Sequence, residues 1–383
     1  YQLGQMEKAT GVFSEVESIT PRSDTGIIAR LRTARILLEQ ELEKNGELSD
    51  KTFYEIMDIY ETIKSSEEYQ EGPLGSLVKI RIAQTYSIKG DWENALRAYH
   101  RAWMDTKLTD PIHLYAQGEA EKTILSRLNI LYEKENLGAI FDLFTEYESS
   151  FMGNINDADG LFILGDTMYR LGKRDLAQTM LKECIKKTGS QRASAIAILF
   201  TMDYQAGEYP SALKWNSLYL QHYPRGTDAT VMEETRGELL YFMNDLEEAV
   251  AFLEPLTGRD NEKALASLSM LTDIYARLDK KSDEIRVLEK IIGLKAKMVS
   301  PVIAKALYTR AKQFIQTNDL DRAGTLLQEL VDAYPRSAYK NWALYHLAII
   351  AHASNKDTEA RDMLAEVIQD STDSILLNTA SSF

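Results

Sequence analysis

A chain of 383 residues with 44 Lys and Arg against 58 Asp and Glu carries a net charge of −14, which repels nucleic acid and anionic lipid unless cations are concentrated in one place, and no basic run concentrates them. With 44% apolar residues, 20 Gly and 8 Pro it is neither disordered nor fibrous. A lone cysteine, Cys184, rules out an intramolecular disulfide, and no stretch approaches the roughly 18 apolar residues of a membrane span.

The opening YQLGQMEKAT has neither an initiating methionine nor the form of a signal peptide, and it reads as the processed end of a longer chain. Residues 1–26 hold Gly4, Gly11, Pro21 and Gly26 around a short β-like stretch at residues 12–16, so they are predicted to be a linker or the tail of a preceding domain. Residues 27–75 read as a diverged N-terminal helical hairpin. Ile28, Leu31, Ala34, Leu38 and Leu42 mark its first helix, which stops at Asn45 and Gly46. Ser49 or Asp50 caps the second, carried by Phe53, Ile56, Tyr60 and Ile63. The GPLGS at residues 72–76 reads as a loop.

From residue 76 to residue 370 one pattern repeats. It is clearest at residues 161–188, where Leu161, Leu164, Met168 and Leu171 form one apolar stripe that breaks at Gly172, and Leu176, Ala177, Met180, Leu181 and Cys184 form a second. Two such stripes are buried most simply against each other, with the small Gly165 and Ala177 at the crossing. The small residue that opens the second helix recurs as Ala95, Ala139, Ala177, Ala212, Ala249, Ala323 and Ala360, with Glu284 breaking the series. A glycine or asparagine suited to a left-handed helix end precedes it as Gly90, Gly172, Gly207, Asn244, Asn318 and Asn355. The register is poor in the hairpin of residues 111–151. Residues 371–383 read as a C-terminal tail or the start of a further helix.

These residues resemble the tetratricopeptide repeat (TPR), a helix-turn-helix unit of about 34 residues. The resemblance implies an all-α fold, a right-handed superhelical solenoid of about eight antiparallel hairpins. It also implies a concave wall built by the first helices. In this register the partner-binding groove is predicted to include Phe162, Asp166 and Tyr169; Thr201 and Tyr204; Glu234, Glu238 and Tyr241; Asp273; Tyr308 with Lys312; and Tyr345. Tyrosine offers apolar area and a hydroxyl at low entropy cost, which suits a peptide wall, but the same rings also suit the seam between hairpins. The interleaved carboxylates predict a partner with lysine or arginine.

Other signals have plainer readings. Residues 154–160, NINDADG, are similar to a calcium loop but place Ile155 at the first ligand position and Asp166 at the last, so a polar loop capping a helix is expected. No two histidines have the i, i+4 spacing of a helical zinc pair, no phosphate loop or nucleophile elbow is present, and Cys184 reads as a buried thiol. The predicted protein is therefore a non-enzymatic interaction scaffold without catalytic residues, metal or cofactor. It binds a protein or peptide and no nucleic acid; homo-oligomerisation, through terminal or convex surfaces, is the alternative use of the array. The pieces QHYPRG at residues 221–226 and DAYPRSAYKNWALYHLA at residues 332–348 resemble the Tyr-Pro-x-Ser repeats of bacterial cell-envelope TPR proteins, which implies a periplasmic or envelope location, with the cytoplasm as alternative.

Overall fold

The computed structural model describes residues 3–20, 23–65, 73–106, 111–258 and 261–382, and they are all-α, without a strand among them. The chain divides into two compact units, Tyr1–Leu199 and Phe200–Phe383. The first contains α1 (Leu3–Ile19), α2 (Asp24–Asn45), α3 (Asp50–Lys64), α4 (Pro73–Lys89), α5 (Trp92–Met104), α6 (Pro111–Glu133), α7 (Leu137–Tyr147), α8 (Ala158–Arg170) and α9 (Arg174–Cys184). The unit boundary falls within α10 (Arg192–Gln205). The second unit continues with α11 (Tyr209–His222), α12 (Ala229–Phe242), α13 (Leu246–Leu253), α14 (Glu262–Arg277) and α15 (Lys281–Gly293). It ends with α16 (Pro301–Gln316), α17 (Leu320–Ala333), α18 (Lys340–Ala353), α19 (Asp357–Asp370) and α20 (Ser374–Ser381).

Within each unit a helix packs on its neighbours in sequence. First helices of successive hairpins also meet, α4 on α6 and α6 on α8 in the first unit and α12 on α14 in the second. Each hairpin thus buries its apolar faces against the next one along, the arrangement of a repeat protein.

One turn geometry makes these hairpins. The residue that ends each first helix has positive φ at Gly90, Glu135, Gly172, Gly207, Asn244, Asp279, Asn318 and Asn355. The residue after it donates its N–H back across the turn, as in Asp91 N to Tyr86 O at 2.9 Å, Lys173 N to Met168 O at 2.8 Å and Asp319 N to Phe314 O at 2.9 Å. The positive-φ residue donates to the carbonyl three positions earlier, so the orphan carbonyls of the helix end are satisfied in the Schellman pattern. Asp91, Asn136 and Asp319 then cap the second helix with their side chains. Five residues beyond the positive-φ position, Ala95, Ala177, Ala212, Ala249 and Ala323 are fully buried. Gly165 and Gly237 serve the same close approach from the first helix: a Cβ there would lie 2.7 Å from the Leu181 side chain and 2.8 Å from that of Leu253.

Several expectations are corrected. The β-like stretch read at residues 12–16 is instead helical: α1 occupies Leu3–Ile19, and Met6, Ala9 and Phe13, at helical spacing, line a cavity shared with Arg32, Arg35 and Ile36 of α2. Packing on α2 outweighs the cost of a mid-helix Gly11, about 1 kcal/mol. The N-terminal hairpin is formed as read, with Gly46 at φ 75° and Ser49 capping α3. Of the loop expected at residues 72–76, residue 72 lies outside the described residues and the rest open α4. In the hairpin of residues 111–151 the register is one residue later than read. Glu135 takes the positive φ, and Ile140, not Ala139, occupies the buried opening position. Glu284, the acid in the alanine series, is half-buried and accepts a hydrogen bond from Gln313 Nε2 at 3.0 Å; burial pushes its carboxyl up. At the C-terminus a further helix, α20, follows α19.

Candidate functional site

Counted from the positive-φ residue t, the predicted groove residues fall at three places on the first helices: t−10 (Phe162, Glu234, Tyr308, Tyr345), t−6 (Asp166, Thr201, Glu238, Asp273) and t−3 (Tyr169, Tyr204, Tyr241). The t−3 row has one more member, Tyr132, which the one-residue slip in its hairpin conceals.

These rows are joined by a ladder. In the first unit the Tyr132 hydroxyl donates to Asp166 Oδ2 at 2.8 Å, while the Tyr132 ring meets Phe162 edge-on with centroids 6.4 Å apart. In the second, Tyr204 donates to Glu238, and Tyr241 donates to Asp273 Oδ2 at 3.0 Å. Each tyrosine therefore reaches the carboxylate of the following hairpin. Burial first, then the neighbouring carboxylate, disfavours the phenolate: Tyr132 is pushed up to about 12, and Tyr204 and Tyr241 move in the same direction. Of the three tyrosines read as one surface, Tyr204 and Tyr241 are rungs between successive hairpins, while Tyr169 makes no such bond among those described. Tyr169 and Thr201 are half-buried, and Phe162 and Asp166 are buried rather than open to a ligand.

The carboxylates are also met by cations of their own unit. Arg170 Nη1 lies 3.8 Å from Asp166, Arg277 Nη1 3.4 Å from Asp273, and Lys263 Nζ 2.6 Å from Glu234. Much of the negative charge expected to attract a basic partner is thus compensated locally.

Further along the second unit the wall changes character. Tyr308 stacks on Tyr339 with centroids 5.2 Å apart, its hydroxyl lies 3.3 Å from His346 Nε2, and Lys312 Nζ stands 5.7 Å above its ring. Tyr345 lies edge-on to Trp342 and beside His346. Burial pushes Tyr308 up to about 12; burial and then the charge of Lys312 lower His346. A cavity of about 930 Å³ is lined here by Lys281, Lys305, Tyr308, Lys312, Phe314 and Arg322 among others.

The first unit has a cavity of about 570 Å³ that sequence reasoning missed, floored by Tyr60 and Tyr99 and rimmed by Arg81, Gln84, Glu119 and Lys122. Its rim is a continuous polar chain. Arg81 donates to Gln84 Oε1 at 2.7 Å, Gln84 Nε2 to Glu119 Oε2 at 2.6 Å, and Lys122 Nζ to Glu119 Oε1 at 2.7 Å. Burial alone would raise the Glu119 carboxyl, but Lys122 and Gln84 bring it below its ordinary value.

The remaining motifs behave structurally. Asp157 caps α8 by accepting from Gly160 N at 2.9 Å, the capping role expected of this polar loop. Cys184 is buried with Sγ donating to Ala158 O at 3.4 Å, and burial pushes its thiol up to about 11. No group of three or more His, Cys, Asp or Glu able to hold a metal occurs among the described residues, and no described helix is long and apolar enough to cross a membrane.

Comparison with known proteins bears on the fold. The family model of a tetratricopeptide repeat matches residues 159–187, which are α8 and α9, and residues 305–337, which contain most of α16 and all of α17. Similar solved structures include the C-terminal part of a TPR repeat-containing protein from Cytophaga hutchinsonii, 17% identical over 66% of this chain and 98% of that one, with a TM-score of 0.48. A TPR protein from Parabacteroides merdae is 13% identical over 72% of this chain and 98% of that one, TM-score 0.29. YrrB, described as a TPR protein with an unusual peptide-binding site, is 14% identical over 63% of this chain and 98% of that one, TM-score 0.27. No curated protein sequence matches significantly.

Proposed function

From a chain built of tetratricopeptide repeats, a fold that generally mediates protein–protein interaction, we propose a non-enzymatic scaffold that holds a peptide or partner domain along the exposed side of its first helices. The observation that carries this reading is the set of half-buried side chains at t−10 and t−6 in the second unit, Glu234, Glu238, Asp273, Tyr308 and Tyr345, with the aromatic cavity around Tyr308. Half-buried tyrosines keep apolar area and a hydroxyl available to a partner without further ordering cost. The partner with lysine or arginine that composition suggested gains little support, because Asp166, Glu234 and Asp273 already have cations beside them.

Peptide selection against the intact chain tests this. Selected peptides are expected to lose on the order of tenfold or more in affinity when Tyr345 is changed to alanine, and to be indifferent to Tyr54→Ala on the exposed face of α3. Binding that Tyr345→Ala does not alter would sink the proposal.

We extend the proposal to a bacterial cell-envelope location. Its support is the pair of Tyr-Pro segments, which end α11 and α17 with the same geometry: Gly226 N donates to Tyr223 O, and Ser337 N to Tyr334 O, both at 2.9 Å. Fractionation of cells expressing the natural full-length protein tests it; recovery in the cytoplasm alone refutes it.

A further inference from the structure

We propose that the cavity around α16 in the second unit seats an acidic, aromatic-bearing peptide segment of a partner protein. This rests on the scaffold reading and gives the charge of the partner, opposite in sign to what composition suggests.

Charge complementarity is the argument. Five cations line the cavity, among them Lys305, Lys312 and Arg322, against two carboxylates, Glu284 and Asp319, in a chain whose net charge is −14. Lys305 and Lys312 form no ion pair within the described residues, whereas Glu234 and Asp273 on the preceding hairpins each have one. Arg322 is mostly exposed and only 3.5 Å from Asp319. The positive field is felt locally, since the charge of Lys312 helps to hold His346 neutral. Lys281, Arg310 and Arg322 each have a carboxylate within 4 Å, so the uncompensated charge of the cavity is that of Lys305 and Lys312, and an anionic partner relieves their mutual repulsion.

The cavity also favours peptide over polyanion. Tyr308 stacked on Tyr339, and Phe314 with the guanidinium groups of Arg310 and Arg322 at 4.0 and 5.6 Å from its centroid, make the lining aromatic as well as cationic, which suits an aromatic side chain. Nucleic acid is opposed by the chain's overall charge. Lys305 and Lys312 lie seven residues apart on one helix, a rise of about 10 Å at roughly 1.5 Å per residue. Carboxylates three residues apart in a polyproline II segment share one face and span about 9 Å at roughly 3.1 Å per residue, close to the same distance. The fitting segment is therefore acidic at i and i+3 with an aromatic residue between.

The test is fluorescence anisotropy on the intact chain with three labelled peptides, alike except for Glu, Gln or Lys at positions i and i+3 around a central Phe. The Glu peptide is expected to bind about tenfold more tightly than the Gln peptide, and its binding to weaken with salt; Lys312→Glu and Lys305→Glu are each expected to weaken it about tenfold again, with unchanged melting. Equal binding of the Glu and Gln peptides, tighter binding of the Lys peptide, or Glu-peptide binding indifferent to both lysine variants overturns the proposal. An oligonucleotide or inorganic phosphate that displaces the Glu peptide at equal charge concentration overturns it as well. Selected partners that depend on Tyr345 but not on Lys305 or Lys312 would leave the scaffold reading standing and remove this one.

Discussion

Glu135→Gly and Asp279→Gly are expected to stabilise the protein, each in its own unit. Both residues hold φ of 52° at a turn whose other six occupants are Gly or Asn. For an ordinary L residue the left-handed region costs roughly 1–2 kcal/mol, and glycine returns about 0.4–1 kcal/mol of that through the larger entropy of its unfolded state. The side-chain contacts that would be lost are weak: Glu135 lies 3.3 Å from Arg170, Asp279 3.8 Å from Lys281, and all but Arg170 are largely exposed. Exposed pairs of this kind contribute about 0–1 kcal/mol, so a net gain of about 0.5 kcal/mol per site is expected. The two sites share no partner, so the gains should add. Denaturant midpoints followed by circular dichroism measure this. The control is Gly172→Ala, where φ is 72° and a Cβ would meet nothing within 4 Å, so that only backbone strain changes; it should lose about 1 kcal/mol. If Gly172→Ala is neutral and the two glycine variants are no more stable than the parent, the turn does not demand the left-handed conformation and the registration of all eight hairpins on it fails.

Gly165→Leu should cost about 1–3 kcal/mol or more by overpacking, because even its Cβ would lie 2.7 Å from the Leu181 side chain and 3.3 Å from the Leu181 backbone nitrogen; an unchanged melting temperature would contradict the crossing described. Tyr132→Phe removes one rung of the ladder and should lose about 1 kcal/mol, measured by denaturation in parallel with Tyr54→Phe, which should lose nothing measurable. Alkaline pH tests the buried tyrosines together. Tyr132, Tyr147, Tyr275 and Tyr308 are all pushed up to about 12, above the roughly 10 of an unfolded chain, so the stability they contribute is complete below pH 10 and is lost as pH rises through 12. Melting temperature should fall across that window while phenolate absorbance rises late; phenolate absorbance that rises fully near pH 10 in the folded protein would refute it.

The fold was legible wherever a local residue type encodes the turn. Gly90, Gly172, Gly207, Asn244, Asn318 and Asn355 mark six of eight turns because those side chains tolerate positive φ. Glu135 and Asp279 gave no such signal, since their conformation is imposed by the helices on either side. The slip at Glu135 then hid Tyr132, although the 34-residue step from Tyr132 to Asp166, repeated from Tyr204 to Glu238, was available to read. Helix α1 was illegible for another reason: it lacks a clear polar and apolar division of its own and takes form against α2. The charge of the wall was misjudged by counting acids without their neighbours, even though Arg170 and Arg277 stand four residues beyond Asp166 and Asp273, a spacing that puts each pair on one helix face.

The ladder constrains where a partner can gain most in the second unit. A tyrosine bonded to the next hairpin's carboxylate is already spent on holding the stack, so a ligand that takes its hydroxyl must disturb a seam to do so. The t−3 row of tyrosines ends at Tyr241, where Ala276, Ile315 and His352 follow in turn, and beyond it the aromatic residues move to t−10 as Tyr308 and Tyr345. There the rings contact one another and His346, and among the described residues Lys305 and Lys312 have no ion pair, Lys312 standing over the Tyr308 ring. Packing and recognition thus use the same helix positions in different hairpins, and affinity should concentrate where the ladder has stopped.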